Sequence, residues 1–275
     1  MQGCPNTPPE FYSGFSTAAA IKAYETLAGI THNTGFAVPQ ARRPAPKTLP
    51  LSTQKKLLLP DDLHNGSPNE LAAVARLRSV PVYSVEAMQA KGLLKFGTVV
   101  GFPSWIVLDA QNLLAEGRRL NGRQYPQMGT LAQRKTHTLR GSTKDWPLGL
   151  TASRLPILLV EGSGDFVAAC HYCFDIPLED WEPVAFLGAA VKTIHPDALP
   201  LLKGRWVRII PQLDEAGRSA FSIWANLLLK LGCTVQLFKL DGLIRANGQP
   251  VNDLNDCTNL RPEDRNAMHE ILALP

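Results

Sequence analysis

Residues 155–165 read LPILLVEGSGD. Four apolar residues, Ile157 to Val160, run without a break into an acid, Glu161, which is followed by Gly162 and then a second acid, Asp165. An apolar run this short, bounded by turn-forming residues, is the pattern of a strand buried on both faces. A helical stretch is expected from about Phe166. The alternation then repeats downstream. Val184 to Leu187 stops at Gly188, Trp206 to Ile210 leads to a helical pattern from Glu215 to Leu231 closed by Gly232, and Val235 to Leu240 makes a fourth strand. Strands separated by helices predict an α/β fold: a mostly parallel sheet flanked by helices, with ligands at the carboxyl ends of its strands.

Upstream the texture changes. Between Leu93 and Leu150 the stretches Gly97 to Phe102 and Trp105 to Leu108, with the turn Leu120-Asn121-Gly122-Arg123, predict hairpins, Asn-Gly being the strongest short turn signal. Ser67 to Val80 reads as a helix capped by Ser67 with Pro68 in its first position, and Leu71, Val74, Ala75 and Leu77 on one face. Ser84 is expected to open a second helix, Val85 to Lys91, closed by Gly92. A packing pair is favoured over a DNA-reading helix-turn-helix, since the second helix is poor in base-reading side chains. Thr17 to Ala28 carries a short helical pattern, and five prolines between Pro39 and Pro60 predict an extended linker. The expected division is 1–60 (N-terminal segment and linker), 61–92 (helical pair), 93–150 (basic α+β subdomain) and 151–275 (acidic α/β domain).

The 275 residues are 45% hydrophobic and 19% charged, enough apolar chain for a sizeable core and too much for a disordered tail. Five scattered cysteines make no disulfide framework, and no apolar run approaches the ~18 residues of a membrane span. The start lacks the basic-then-apolar layout of a secretory leader, so the expected setting is cytoplasmic, with no membrane partner. The net charge of +4 is unevenly spread. Residues 1–92 carry a net +3, residues 93–150 a net +5, and residues 151–275 a net −4. Arg118, Arg119, Arg123, Arg134, Lys135, Arg140 and Lys144 lie in the middle stretch, interleaved with Trp105, Tyr125 and Trp146. Such a basic stretch is a candidate nucleic-acid surface beside a carboxylate site.

Three acidic groups follow strands. They are Glu161 with Asp165, Asp214-Glu215 after Ile209-Ile210-Pro211, and Asp253-Leu254-Asn255-Asp256 after the fourth strand. Carboxylates at neighbouring strand ends converge in space, and their repulsion is costly without a cation. The pattern therefore predicts a hard divalent ion, Mg2+ or Mn2+, of the kind that orients a hydroxyl against a phosphate. Taken singly, Asp214 reads first as a helix cap and Asp253 as a turn former; it is the three groups together that point to a metal.

Glu161-Gly162-x-x-Asp165, Asp214-Glu215-Ala216-Gly217-Arg218 and Asn252-Asp253-Leu254-Asn255-Asp256 resemble the three motifs of a Toprim domain, in the form found in DNA primases of bacteria and primase-helicases of phages and plasmids. The likeness runs from about Leu155 to Asp256, and Leu187-Gly188-Ala189 fits it. It implies a Toprim-type sheet in which Glu161, Asp214 and Asp253 are catalytic. Glu161, Asp165, Asp214, Asp253 and Asp256 would surround the metal. Residues 93–150 look like the basic half of a primase core, which implies that Arg118, Arg119, Arg123, Arg134 and Lys135, joined by Arg218, hold template and nucleotide phosphates.

Two departures stand out. Where the family usually has Asp-x-Asp, this chain has Gln212-Leu213-Asp214, which removes one charge from the metal site and implies weaker Mg2+ binding. The template-reading zinc ribbon of such primases is also not evident, and is expected to be missing, truncated or supplied by another chain. The one Cys-x-x-Cys, Cys170 to Cys173, falls on the expected helix after the first motif and reads as packing, so no zinc is expected in this chain. No Walker-type loop occurs, so a replicative helicase, if used, is a separate partner. The leading expectation is a nucleotidyl transferase making short RNA primers on single-stranded DNA from nucleoside triphosphates. The alternatives are a non-catalytic nucleic-acid-binding replication accessory and a Toprim nuclease.

Overall fold

Ser67 starts the first helix as its chemistry requires. Its hydroxyl accepts from the backbone of Glu70, the Glu70 carboxylate accepts from the backbone of Ser67 (2.8 Å), and Pro68 fills the first turn of α1 (Pro68–Arg78). In the computed structural model, which describes residues 56–127, 129, 132–175 and 181–271, α1 is followed by α2 (Val82–Ala90). The expected helix from Thr17 to Ala28 and the linker as far as residue 55 lie outside the described residues. Residues 56–60 are not a linker. Leu57 is buried among Val99, Ile106, Leu108 and Tyr125, and the Leu58 backbone donates to Arg140 (2.9 Å). Ser84 does not cap α2 either. Pro81 sets the entry, helix begins at Val82, and the buried Ser84 hydroxyl meets His171 Nδ1 at 2.9 Å.

The first sheet is antiparallel, β1 (Leu94–Val99), β2 (Phe102–Leu108), β3 (Ala115–Arg119) and β4 (His137–Thr138), in that order. The turn joining β1 to β2 is Val100-Gly101, inside the stretch expected to be one strand. Both residues take left-handed backbone angles (φ 52° and 77°), the mirror-image turn that matches strand twist. Such a conformation disfavours a β-branched side chain by roughly 1–2 kcal/mol. Val100→Asn is expected to stabilise the fold by about 1 kcal/mol, read as a Tm rise of about 2–4 °C.

The second sheet is parallel: β5 (Ile157–Glu161), β6 (Glu182–Phe186), β7 (Trp206–Ile209) and β8 (Thr234–Leu237), in the order β6-β5-β7-β8. It is flanked by helices. Helix α3 (Gly162–Asp175) packs on β5 and β6, and α5 (Glu215–Lys230), which follows the short α4 (Leu199–Leu202), packs on β8. Helix α3 begins at Gly162, four residues before the expected Phe166, so Ser163 to Asp165 form its first turn rather than a loop. Cys170 and Cys173 are buried on it. The strand order reverses direction between β5 and β7, and at such a point the two strand ends leave a crevice.

The two sheets belong to one compact unit, residues 50–275, so the expected boundary at 150/151 separates two sheets and not two bodies. Leu148 bridges the edge of β6 by paired bonds with Ala185 (2.9 Å each way), and α1 and α2 both pack on α3. No helix among the described residues is long and apolar enough to cross a membrane.

Candidate active site

The crevice at the ends of β5 and β7 opens into a cavity of about 430 Å³. Glu161, Asp165, Asp214 and Asp253 all line it, drawn from the three acidic segments, with Gln212, Asn252 and Asn255 between them. Arg78, Glu116, Arg118, Lys135 and Thr136 line it from the other side.

Each acid is held by its own local structure. Glu161 closes β5 and is buried; the Ala189 backbone donates to its carboxylate, while Oε2 has no hydrogen-bond partner. Asp165, in the first turn of α3, is also buried. Its Oδ1 accepts from the Asn255 backbone (2.9 Å) and its Oδ2 from Gln212 Nε2 (3.3 Å). Asp214 is exposed and caps α5, accepting from Gly217 N at 2.7 Å. Gly217 itself is pressed against Gln212, with room for no side chain, which draws the cap down onto the β7 end. Asp253 accepts from the Asp256 backbone at 2.8 Å.

Burial pushes Glu161 above the ordinary carboxylate range, with the charge of Asp214 adding to it. Burial, then the charge of Asp253, raises Asp165 much further, and burial raises Asp253. A group of acids that resist ionisation is a group short of positive charge. A hard divalent cation fits these donors on one further observation. Glu161 Oε2 is an orphaned carboxyl oxygen on the cavity wall, a costly arrangement without a partner. Among the described residues no three His, Cys, Asp or Glu side chains stand as a ready-made metal site. Mg2+ is commonly held by one or two carboxylates, water and substrate phosphate rather than by a protein cage, and this cavity supplies the carboxylate share.

The remaining expected residues fall in several places. Asp256 is not among the cavity residues; it pairs with Arg245 (3.0 Å) and accepts from the Asn252 backbone (3.0 Å), which shapes the loop that carries Asp253. Arg118 and Arg119 are neighbours on β3 and so face opposite ways. Arg118 reaches the cavity, whereas Arg119 lies over the Phe102 ring (4.1 Å) and donates to the Gln124 carbonyl. Arg123 is exposed in the Asn121-Gly122 turn, and Arg134 contacts His137 Nδ1. Lys135 is exposed at the cavity rim, and Arg218, on α5, donates to the Leu213 carbonyl of the loop that precedes the helix. Two cavity residues carry no signal in the sequence. Arg78 is an ordinary basic residue in the last turn of a helix, and Glu116 is one acid within a basic stretch.

Glu116 holds the two halves together. Buried on β3, it accepts from Ser163 Oγ (2.6 Å), and Ser163 Oγ accepts from Arg118 Nε (2.7 Å). This chain fastens the first turn of α3 to β3 and fixes the Arg118 side chain beside the acids. Comparison of the chain with known protein families, with curated proteins and with solved structures finds no match.

Proposed function

We propose that this protein is a nucleotidyl transferase of the Toprim primase type, joining ribonucleotides on a single-stranded DNA template. The observation that carries the reading is the meeting of four carboxylates from three separate segments with Arg78, Arg118 and Lys135 around one cavity. In that cavity Glu161, Asp214 and Asp253 would hold Mg2+, which supplies charge neutralisation at the reacting phosphate. Glu161 would accept the proton of an attacking 3′-hydroxyl; one of its oxygens is steadied by the Ala189 backbone, and the other has no hydrogen-bond partner. Burial raises it above the ordinary carboxylate range, the direction that suits a general base. Arg118 and Lys135 would hold the phosphates in line. The resemblance of the three acidic motifs supports the same chemistry. The direct test is incorporation of labelled ribonucleotides on single-stranded DNA with Mg2+ or Mn2+; no product with either ion rejects the reading.

One observation favours a second reading, a nucleic-acid-binding accessory without catalysis. Gln212 turns its amide donor onto Asp165, and so supplies from within the protein part of the compensation a cation would otherwise give. Gln212→Asp separates the two. In a transferase with a weakened metal site, the added carboxylate is expected to raise Mn2+ affinity about tenfold by calorimetry, since affinity for hard cations follows carboxylate number. An accessory protein would instead lose stability through the extra buried charge and gain no affinity.

A further inference from the structure

Glu161 is steadied by a backbone group from outside its own strand. Its carboxylate accepts from the Ala189 amide, in the segment that follows β6. There Gly188 N donates back to the Phe186 carbonyl (2.9 Å), and Val191 N donates to the Gly188 carbonyl (3.1 Å), closing a tight turn with Ala189 and Ala190 at its centre. In such a turn the first central amide takes no part in the closing bond and is left to donate elsewhere, here to the carboxylate. Gly188 leads the backbone into the turn at a φ of 120°, a conformation that disfavours a side chain.

The turn brings little of its own to hold it in place. Gly188, Ala189 and Ala190 have no side chain long enough to reach an anchor, and Ala190, Lys192 and Thr193 are exposed. The anchor comes from α5. Trp224 Nε1 donates to the Val191 carbonyl at 2.8 Å. The indole is 1% exposed, and its ring centroid lies 5.0 Å from that of Phe186, the register partner of Glu161 across β5 and β6. A buried indole N–H requires an acceptor, and the carbonyl that supplies it loses its freedom to swing. Helix α5 thus serves two of the acids. Asp214 caps its start, and further along Trp224 fixes the turn that steadies Glu161.

We propose that Trp224 is a positioning residue for Glu161. Its N–H pins the Val191 carbonyl, the pinned turn presents the Ala189 amide, and the amide sets where the Glu161 carboxylate stands in the cavity. The part this plays in turnover rests on the transferase reading, whereas the geometric link does not. A reacting group displaced by about 1 Å can lose about a hundredfold in rate, so a bond that only steadies the turn still shows in turnover. Trp224 is not among the residues that line the cavity, so its loss should lower kcat and leave KM for nucleotide unchanged.

The test is hydrogen exchange of single N–H groups in the full chain, followed by nuclear magnetic resonance. In the wild type the Trp224 indole proton should exchange far more slowly than that of a free indole, a measurement that needs no variant. Trp224→Phe keeps a ring against Phe186 and removes the donor. Ala189 exchange is then expected to quicken about tenfold relative to the β5 amides, the range for one lost bond to a buried acceptor. Leu228→Ala trims the same buried face of α5 and leaves the bond in place, so on the same scale Ala189 should stay within about twofold of the wild type. Nucleotide addition by Trp224→Phe should fall about ten- to hundredfold in kcat, with KM within about twofold. The positioning role is overturned if the indole proton exchanges freely, if Ala189 does not respond to Trp224→Phe, or if Leu228→Ala quickens it as much. Primer synthesis by Trp224→Phe at the wild-type rate also overturns it and leaves the transferase reading intact. If the exchange pattern appears in a chain that makes no primers, the transferase reading falls and the link from Trp224 to Glu161 stands.

Discussion

Arg205→Ala is expected to destabilise the protein by about 3–5 kcal/mol, the cost of leaving one member of a buried ion pair alone. Arg205 stands just before β7 and pairs with Glu182 at the start of β6, the two side chains being 1% and 7% exposed. Arg205 Nε donates to the Leu155 carbonyl (2.9 Å), and Glu182 accepts from the Thr151 backbone and from Ser153 Oγ (2.8 Å). The network joins the starts of three adjacent strands, β5, β6 and β7. Denaturant unfolding would measure the loss. Because a desolvated pair contributes little net stability over apolar residues of similar size, Arg205→Met with Glu182→Leu is expected to recover most of it. The cavity opens at the opposite, carboxyl ends of these strands, so the double variant should titrate with Mn2+ as the wild type does. A single variant as stable as the wild type would show that the pair holds nothing together.

On the proposed transferase reading, Glu161→Ala is expected to lower nucleotide addition by about 10²–10⁴-fold, the usual worth of a positioned general base, while single-strand binding stays near the wild-type value. The arginines of the cavity wall are untouched by this change, which is why the two effects would separate. Acidity gives an independent readout. Burial raises Glu161, Asp165 and Asp253 above their ordinary values. A carboxyl with a raised value in the folded state binds its proton more tightly there than in the unfolded chain. Stability is therefore highest at low pH, with respect to these groups, and falls as pH climbs from the ordinary carboxylate value through the raised one. In chelator, Tm should fall as pH rises through that window, and added Mg2+ should reverse the fall. Activity should move the other way and rise as Glu161 ionises. A metal-free Tm that climbs with pH across this interval would mean that the acids are already neutralised within the protein.

The strands were legible from their apolar runs, and Glu161 closes one of them. Asp214 was legible as the cap of the helix after β7, whereas Asp253 lies in a loop well beyond the end of β8, where no apolar run marks its position. The basic wall was harder to read. Of the adjacent Arg118 and Arg119, only one faces the cavity, a consequence of strand alternation that depends on a register the sequence does not display. Arg78 arrives from a helix eighty-odd residues before the acids, placed by the bond from Thr258 Oγ1 to its carbonyl and by the absence of a side chain at Gly164, neither of which leaves a local pattern. The Val100-Gly101 turn was hidden because valine is a strand former, and tertiary pairing overrode that preference.

Chain order gives the cavity an unusual pattern of inheritance. Its cationic wall is encoded by residues 78 to 135 and its anionic wall by residues 161 to 253, with the Leu148 stitch onto β6 between them. A genetic crossover that swapped only the later portion would set four carboxylates opposite a stranger's surface, and one that swapped only the earlier portion would leave guanidiniums facing nothing they were shaped for. Working hybrids should therefore exchange both walls as a single cassette, and a designer who grafts the acids elsewhere must carry Arg78 and the Trp105 ring it lies over along with them.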